Sequence, residues 1–246
     1  YYGCELEVDD AGEDDYNAEI ILNIANRDDD RIYIKHDGSL EEGFEIVTHP
    51  MTLDYHKNIM PWQEVIQRLI RMGYRSQQAD TCGLHFHVNK SGLGDTTAEQ
   101  ENVIGRILYF FEKYWYEILN FSRRTEDQAD RWARRYSGSI ENPKASLDKA
   151  KRTHNGRYMA INLQNPETVE FRIFRGTLKY STFLASLQFV DELCNDAIAL
   201  SDEDFEVMTW SDFVSKINKT EKPELIEYLK LHRLYINEAV TSGEEI

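Results

Sequence analysis

Cys82-Gly83-Leu84-His85-Phe86-His87-Val88-Asn89 alternates apolar and imidazole side chains through a run that otherwise has the composition of a buried strand. Successive strand side chains point to opposite faces of a sheet, so His85 and His87 share one face while Leu84, Phe86 and Val88 form an apolar back suited to packing on helices. Three further segments repeat the pattern with carboxylates: Glu5-Leu6-Glu7-Val8, Phe44-Glu45-Ile46-Val47 and Val169-Glu170-Phe171-Arg172-Ile173. Each gives a strand with one apolar and one chemical face. If the four chemical faces line one sheet, carboxylates and imidazoles converge on one cavity, where like-charge repulsion is costly unless cations occupy it. Hard carboxylate ligands with a minority of His favour magnesium or manganese over structural zinc.

Outward from these strands, Ala18, Ile20, Ile21, Ile24 and Ala25 recur at helical spacing after an acidic loop. Residues 31–36 read as a strand running into the Asp37-Gly38-Ser39 turn, and 43–48 as its hairpin partner, stopped by Pro50. Pro61 opens a helix that carries Val65, Ile66, Leu69 and Ile70 and ends at Gly73. From Thr97 one long helix is predicted, its stripe of Ile104, Ile107, Leu108, Phe111, Trp115, Ile118 and Leu119 belonging to the core. The spacing then predicts a helix at 131–135, a polar and turn-rich flap over 137–155, strands at 159–163 and 168–174, a helix over 181–200, and helical fragments at 210–217 and 223–239. Hairpins and long excursions in place of a strict βαβ alternation predict an α+β fold with a mainly antiparallel sheet.

The 246 residues, 41% hydrophobic, suffice for one sizeable domain with a core. A net charge of -16 argues against general binding to nucleic acid or to an anionic membrane surface. The segment 123–157 is the exception, with ten Lys and Arg against five Asp and Glu, which points to an anionic ligand nearby. Cys4, Cys82 and Cys194 are odd in number and far apart, fitting reduced cytoplasmic thiols better than a disulfide framework; Cys82 beside Gly83 reads as a small buried residue. No apolar run approaches the roughly 20 residues that span a bilayer, and no signal peptide is visible, so a soluble protein is expected. Because Tyr1-Tyr2-Gly3 leads into a strand without an initiator Met, the chain reads as a piece of a longer protein with an upstream domain.

Each constellation has a plainer reading. An isolated Glu-x-Glu such as Glu5 and Glu7 is most simply an exposed strand face. Glu170, Arg172 and Arg175 could form a structural ion-pair ladder, although Arg also offers a planar fork of donors that matches carboxylate and phosphate. Lys35, Asp37 and Ser39 could touch phosphates, or the turn could serve conformation alone. The histidine pair is harder to explain structurally, because two imidazoles in an apolar strand need partners: metal for one, and substrate or phosphate for the other, is one arrangement. No Gly-x-x-x-x-Gly-Lys-Ser/Thr loop, Gly-x-Gly-x-x-Gly fingerprint, His-Glu-x-x-His or Gly-x-Ser-x-Gly occurs.

The ordered set Gly3-Cys4-Glu5-Leu6-Glu7, Asp37-Gly38-Ser39, Gly43-Phe44-Glu45-Ile46-Val47, Cys82-Gly83-Leu84-His85-Phe86-His87-Val88, Arg157-Tyr158 with Asn162-Leu163, and Thr168-Val169-Glu170-Phe171-Arg172-Ile173-Phe174 with Gly176-Thr177 resembles the amidoligase family. These are carboxylate-amine ligases related to glutamine synthetase and glutamate-cysteine ligase, and the resemblance runs from about Tyr1 to Leu200, which implies a catalytic region over 1–200 with a helical extension of the same domain over 201–246. It implies a curved antiparallel half-barrel backed by helices, holding ATP and two or three magnesium ions (or manganese) on its concave face. By the same resemblance Glu5, Glu7, Glu45, Glu170 and His85 or His87 are metal ligands. Lys35, Ser39, Arg157, Asn162 and Arg172 are expected to bind the nucleotide, and Arg157, Arg172 and Arg175 to hold phosphates or a substrate carboxylate. Arg175 departs from the family, which often has a non-basic residue there.

The chemistry expected is ATP-dependent joining of a small-molecule or peptide carboxylate to an amine through an acyl phosphate, with 123–157 as a lid that excludes water. A metal-dependent phosphotransferase or phosphate-ester hydrolase could use the same residues, and a catalytically degenerate member would bind nucleotide or a partner without turnover.

Overall fold

Six strands and eleven helices follow one another among the described residues, which in this computed structural model are 1–79, 81–136, 141–153 and 156–235. In chain order they are β1 (Tyr2–Val8), α1 (Asp15–Ala25), β2 (Ile32–Lys35), β3 (Phe44–Thr48), α2 (Leu53–Asn58), α3 (Trp62–Arg71), β4 (Gly83–Asn89), α4 (Thr97–Lys113), α5 (Trp115–Ser122) and α6 (Glu126–Trp132). There follow α7 (Pro143–Arg152), β5 (Ile161–Asn162), β6 (Thr168–Arg175), α8 (Tyr180–Ala199), α9 (Asp202–Val207), α10 (Trp210–Lys216) and α11 (Pro223–Leu231). The strands form one open antiparallel sheet in the order β2-β3-β1-β4-β6-β5. The Glu5/Glu7 strand β1 and the histidine strand β4 are therefore central, flanked by β3 and β6.

Alternation decides the two faces. Cys4, Leu6, Val8, Leu84, Phe86, Val88, Val169 and Phe171 are buried on one of them. Aromatic side chains carry that face onto the helices: Phe86 meets Phe183 of α8 at 5.8 Å between ring centroids, Phe171 meets Phe111 of α4 at 5.8 Å, and Trp62 of α3 meets Phe183 at 4.4 Å. Phe86 and Phe171 have no exposed surface, so each contributes about 1.5–3 kcal/mol by burial. One irregularity breaks the alternation. The register of β6 against β4 shifts between Leu84 and Phe86, so that Phe174 stands opposite Leu84 and rejoins the apolar face, where a strict alternation would have turned it toward the polar one.

A close backbone approach fixes β1 against the turn before β3. A Cβ on Gly43 would fall onto the Val8 carbonyl oxygen and within 2.6 Å of Asp9 Cα. Asp9, 1% exposed, ties the same corner by accepting from the Glu41 and Glu42 amides and from Thr81 Oγ1.

Several expectations change. The stripe from Thr97 is continuous, yet the helix breaks at Tyr114 (φ -111, ψ 35), whose hydroxyl donates to the Met208 carbonyl; hydrophobic spacing alone does not register a break that preserves the stripe. The helix expected at 131–135 lies earlier, as α6, started by the Thr125/Gln128 capping box. The flap expected over 137–155 contains α7: Asn142 caps it at 2.8 Å from the Ala145 amide, Pro143 begins it, and Leu147 and Ala150 are buried. Residues 137–140, 154 and 155 of that flap lie outside the described residues, as do 236–239 of the last helical fragment. α10 and α11 pack back on the first 200 residues, Phe213 against Phe110 at 4.8 Å and Tyr228 against Phe121 at 4.8 Å. No helix of the described residues is long and apolar enough to cross a membrane. All three cysteines are free and buried, and burial pushes the Cys82 thiol up to about 12.

Candidate metal and anion site

Strand pairing arranges the ionisable residues in rows across the polar face. Residues directly opposite in antiparallel strands share a face, and the first row is Lys35, Glu45 and Glu7 across β2, β3 and β1. The second pairs Glu5 with His85. The third runs from Gly3 through His87 and Glu170 to Asn162 across β1, β4, β6 and β5. These rows floor a cavity of about 250 Å³ whose walls include Asp37, Ser39, Arg124, Trp132, Arg157, Tyr158 and Arg172. All six expected metal ligands thus face one cavity, together with Lys35, Ser39, Arg157, Asn162 and Arg172.

The contacts within the floor are dense. His85 Nδ1 lies 3.3 Å from Glu5 Oε2 and 3.7 Å from Glu170 Oε1, while its Nε2 lies 3.9 Å from Glu7 Oε1. His87 Nε2 is 3.2 Å from Glu5 Oε1 without the alignment of a hydrogen bond, and its Nδ1 is 3.0 Å from Thr168 Oγ1. Glu170 accepts from Asn162 Nδ2 at 2.7 Å and from Arg172 Nη1 at 2.5 Å. Glu7 accepts from the Gly83 amide. A side chain at 83 has no room, since its Cβ would stand 2.5 Å from His85 Nε2.

Electrostatics follow from this crowding. Burial, and then the adjacent Glu5 carboxylate, raises Glu45 to about 8, so at neutral pH this acid holds its proton; Lys35, 3.9 Å away, only partly opposes the shift. Glu5 is held well below the usual carboxylate range: burial acts to raise it and is outweighed by the His85 hydrogen bond and the adjacent His85 and His87 rings. Burial lowers His87, but the adjacent Glu5 carboxylate outweighs burial and raises it.

Three overlapping donor groups could each hold a cation: Glu5, His87 and Glu170; Glu5, Glu45 and His85; and Glu7, Asp37 and Glu45. In each group the ligand atoms lie within 4.8 Å of one another. The oxygen-rich donor set, with one imidazole in two of the groups, suits a hard divalent cation, and the buried Nε2 of His87 has no hydrogen-bond partner, only the Glu5 carboxylate beside it. Asp37 enters the third group although its carboxylate is already used locally. Against burial, which raises it, the Ser39 hydroxyl and amide, each 2.7 Å away, lower its pKa, so the Ser39 hydroxyl donates to Asp37 within the turn.

The rim is cationic and aromatic. Arg157 and Arg172 lie over the Tyr158 ring at 5.2 and 5.9 Å, and Trp132 meets Tyr158 edge-on at 5.8 Å. Arg124 is the most buried cation of the cavity, at 8% exposure; burial brings it down to about 10, and it donates to the Ile173 and Phe174 carbonyls at 3.0 and 3.1 Å. Arg124 and Trp132 have no site role in the sequence reading, and Tyr158 enters it only beside Arg157 in the family motif. The one signal for Arg124 is the Arg123-Arg124 pair closing an apolar helix. Arg175, expected beside Arg172, is instead held by the Gln77 carbonyl, with Nε at 3.1 Å, and lines a second cavity.

A family model described as "putative amidoligase enzyme" matches residues 23–194. The match takes in Glu45, His85, His87 and Glu170 and leaves β1, with Glu5 and Glu7, outside. No curated protein matches the chain.

Proposed function

From the premise that this chain belongs to the amidoligase family, we propose that it is an ATP-dependent ligase that joins a carboxylate to an amine through an acyl phosphate. The observation that carries this reading is the set of three overlapping carboxylate and imidazole groups on one sheet face, ringed by Lys35, Arg124, Arg157 and Arg172. Such a floor holds divalent cations, and such a rim holds the anions that accompany them. Magnesium or manganese would sit among Glu5, Glu7, Glu45, Glu170, His85 and His87 and would supply charge neutralisation to a phosphoryl group in transfer.

The residues divide the remaining work. Lys35, Arg157 and Arg172 are suited to phosphate and carboxylate oxygens, Arg172 being oriented by Glu170 and Arg157 by the Tyr158 hydroxyl at 3.2 Å. Arg124 is fixed by two backbone carbonyls and presents a cation that needs no reorganisation. Trp132 and Tyr158 offer flat apolar surface to an adenine ring. Part of the 123–157 segment reaches the cavity through Arg124, Trp132 and Arg157, and this part is the cover that keeps water from an acyl phosphate.

The bond changes balance simply. A carboxylate oxygen of the substrate attacks the terminal phosphorus of ATP and ADP leaves; the amine then attacks the carbonyl carbon, loses a proton, and phosphate departs with the carboxylate's oxygen. With a carboxylate substrate labelled with oxygen-18, one label should appear in the released phosphate, and ADP release should require both co-substrates. ADP release without an amine, or phosphate labelled from water, would favour the hydrolase or phosphotransferase reading.

A further inference from the structure

A second cavity, of about 230 Å³, lies where the end of β6 meets α5, the start of α8 and α11. Its charged lining has one sign. Arg123, Arg175 and Lys179 border it, with the His232 imidazole beside them, and, among the described residues, no Asp or Glu does, in a chain that carries 44 acidic residues. Nor does any of Arg123, Arg175 and Lys179 form an ion pair elsewhere among the described residues: Arg123 Nη1 is 3.2 Å from His232 Nδ1, and Arg175 is engaged by the Gln77 carbonyl. The cations act on one another, since after burial it is the charges of Arg123 and Lys179 that lower His232. The rest of the lining is mixed, with Phe121, Phe174, Tyr228 and Leu231 on the walls beside Gln77 and the hydroxyl residues Thr177, Thr182 and Ser186.

The backbone explains why neighbouring arginines serve different cavities. Arg123 caps α5 with a left-handed backbone (φ 63), and the helix ends there. Arg124 consequently lines the first cavity and Arg123 the second.

We propose that the second cavity binds a small organic anion, its carboxylate or phosphate group held among Arg123, Arg175 and Lys179 and its apolar body against Phe121, Phe174 and Leu231. Convergent cations without a counter-charge raise the local concentration of anions, and aromatic and aliphatic walls joined by a few polar and charged groups are the usual make-up of a small-molecule site. This site stands apart from the ligase reading and does not depend on it.

Phenyl phosphate and benzoate serve as probes, with inorganic phosphate and benzylamine as controls, and the ring resonances of His232, assigned with His232→Gln, report occupancy by NMR. Saturable shifts of His232 are expected with phenyl phosphate or benzoate, the tighter of the two identifying the preferred head group, and none with benzylamine. Lys179→Ala should weaken binding about 10-fold. Arg123→Asn, which tolerates the left-handed backbone and removes the charge, should do the same with an unchanged melting temperature. Failure of both aromatic anions to saturate, equal binding by the variants and the parent, or equally tight binding of inorganic phosphate would overturn the proposal.

Discussion

Glu7 on β1 stands directly opposite Glu45 on β3, two carboxyl groups on the same face of adjacent strands. Like charges so placed are destabilising, and the protein meets this by keeping Glu45 protonated, at about 8, next to Glu5 and Glu7. In the cation-free protein this acid, raised above its unfolded value of 4.5, contributes stability that is complete below pH 4.5 and fades as pH rises through about 8. Magnesium or manganese should displace that proton. Binding measured calorimetrically at pH 7 in buffers of different ionisation enthalpy should show proton release, with affinity rising with pH up to about 8. Glu45→Gln should bind more weakly and without that release.

Glu170 joins three partners, His85, Asn162 and Arg172. Glu170→Gln removes a metal ligand and the charge that orients Arg172. Turnover, followed by ADP release, should fall by at least about 100-fold while the circular-dichroism spectrum is unchanged. Activity near that of the parent would remove Glu170 from the site.

Gly83 is required by the side chain two residues on. Gly83→Ala sets a methyl group 2.5 Å from His85 Nε2 and 3.3 Å from Arg124 Nη2, and should cost about 1–3 kcal/mol in urea unfolding and weaken manganese binding. Gly38→Ala, with nothing within 4 Å of the added Cβ, is the control and should leave manganese binding unchanged.

The faces of the strands were legible in the sequence because alternation is a local property. Glu5, Glu7, Glu45, His85, His87 and Glu170 therefore fall together as expected. The register was not legible: that Glu5 pairs with His85 and Glu7 with Glu45 depends on Gly43 and Asp9 locking the corner of β1, and on strand order. Arg175 illustrates the limit. After the register shift in β6 it stands opposite Gly83, yet its guanidinium is drawn to the Gln77 carbonyl, a contact between distant parts of the chain. Arg124, Trp132 and Tyr158 arrive from helix ends and a loop, where no period marks them. The helix α7 was legible in its Asn-Pro start but hidden by its polar composition.

His56 has no exposed surface, bridges the Tyr2 carbonyl at Nε2 (3.0 Å) and accepts from Trp62 Nε1 at Nδ1 (3.2 Å), an arrangement that needs the neutral ring. Burial lowers it to about 4. A histidine depressed in the folded state contributes stability present above its unfolded value of 6.5 and lost as pH falls toward 4, here on the order of 3 kcal/mol. His56→Gln can keep both hydrogen bonds without a titrating group. Its unfolding free energy should fall less than the parent's between pH 6.5 and 4; parallel curves would contradict the assignment.

The central claim is that the polar face of the sheet is a divalent-cation floor for ATP chemistry. Its most direct test is anomalous scattering from crystals soaked with manganese and a non-hydrolysable ATP analogue. Peaks are expected at ligand distance from the Glu5, His87 and Glu170 group and from one or both of the groups that share Glu45, with the analogue's phosphates between those peaks and Arg157 and Arg172. Full occupancy of the analogue with no manganese against Glu5, Glu45 or Glu170 would contradict the account.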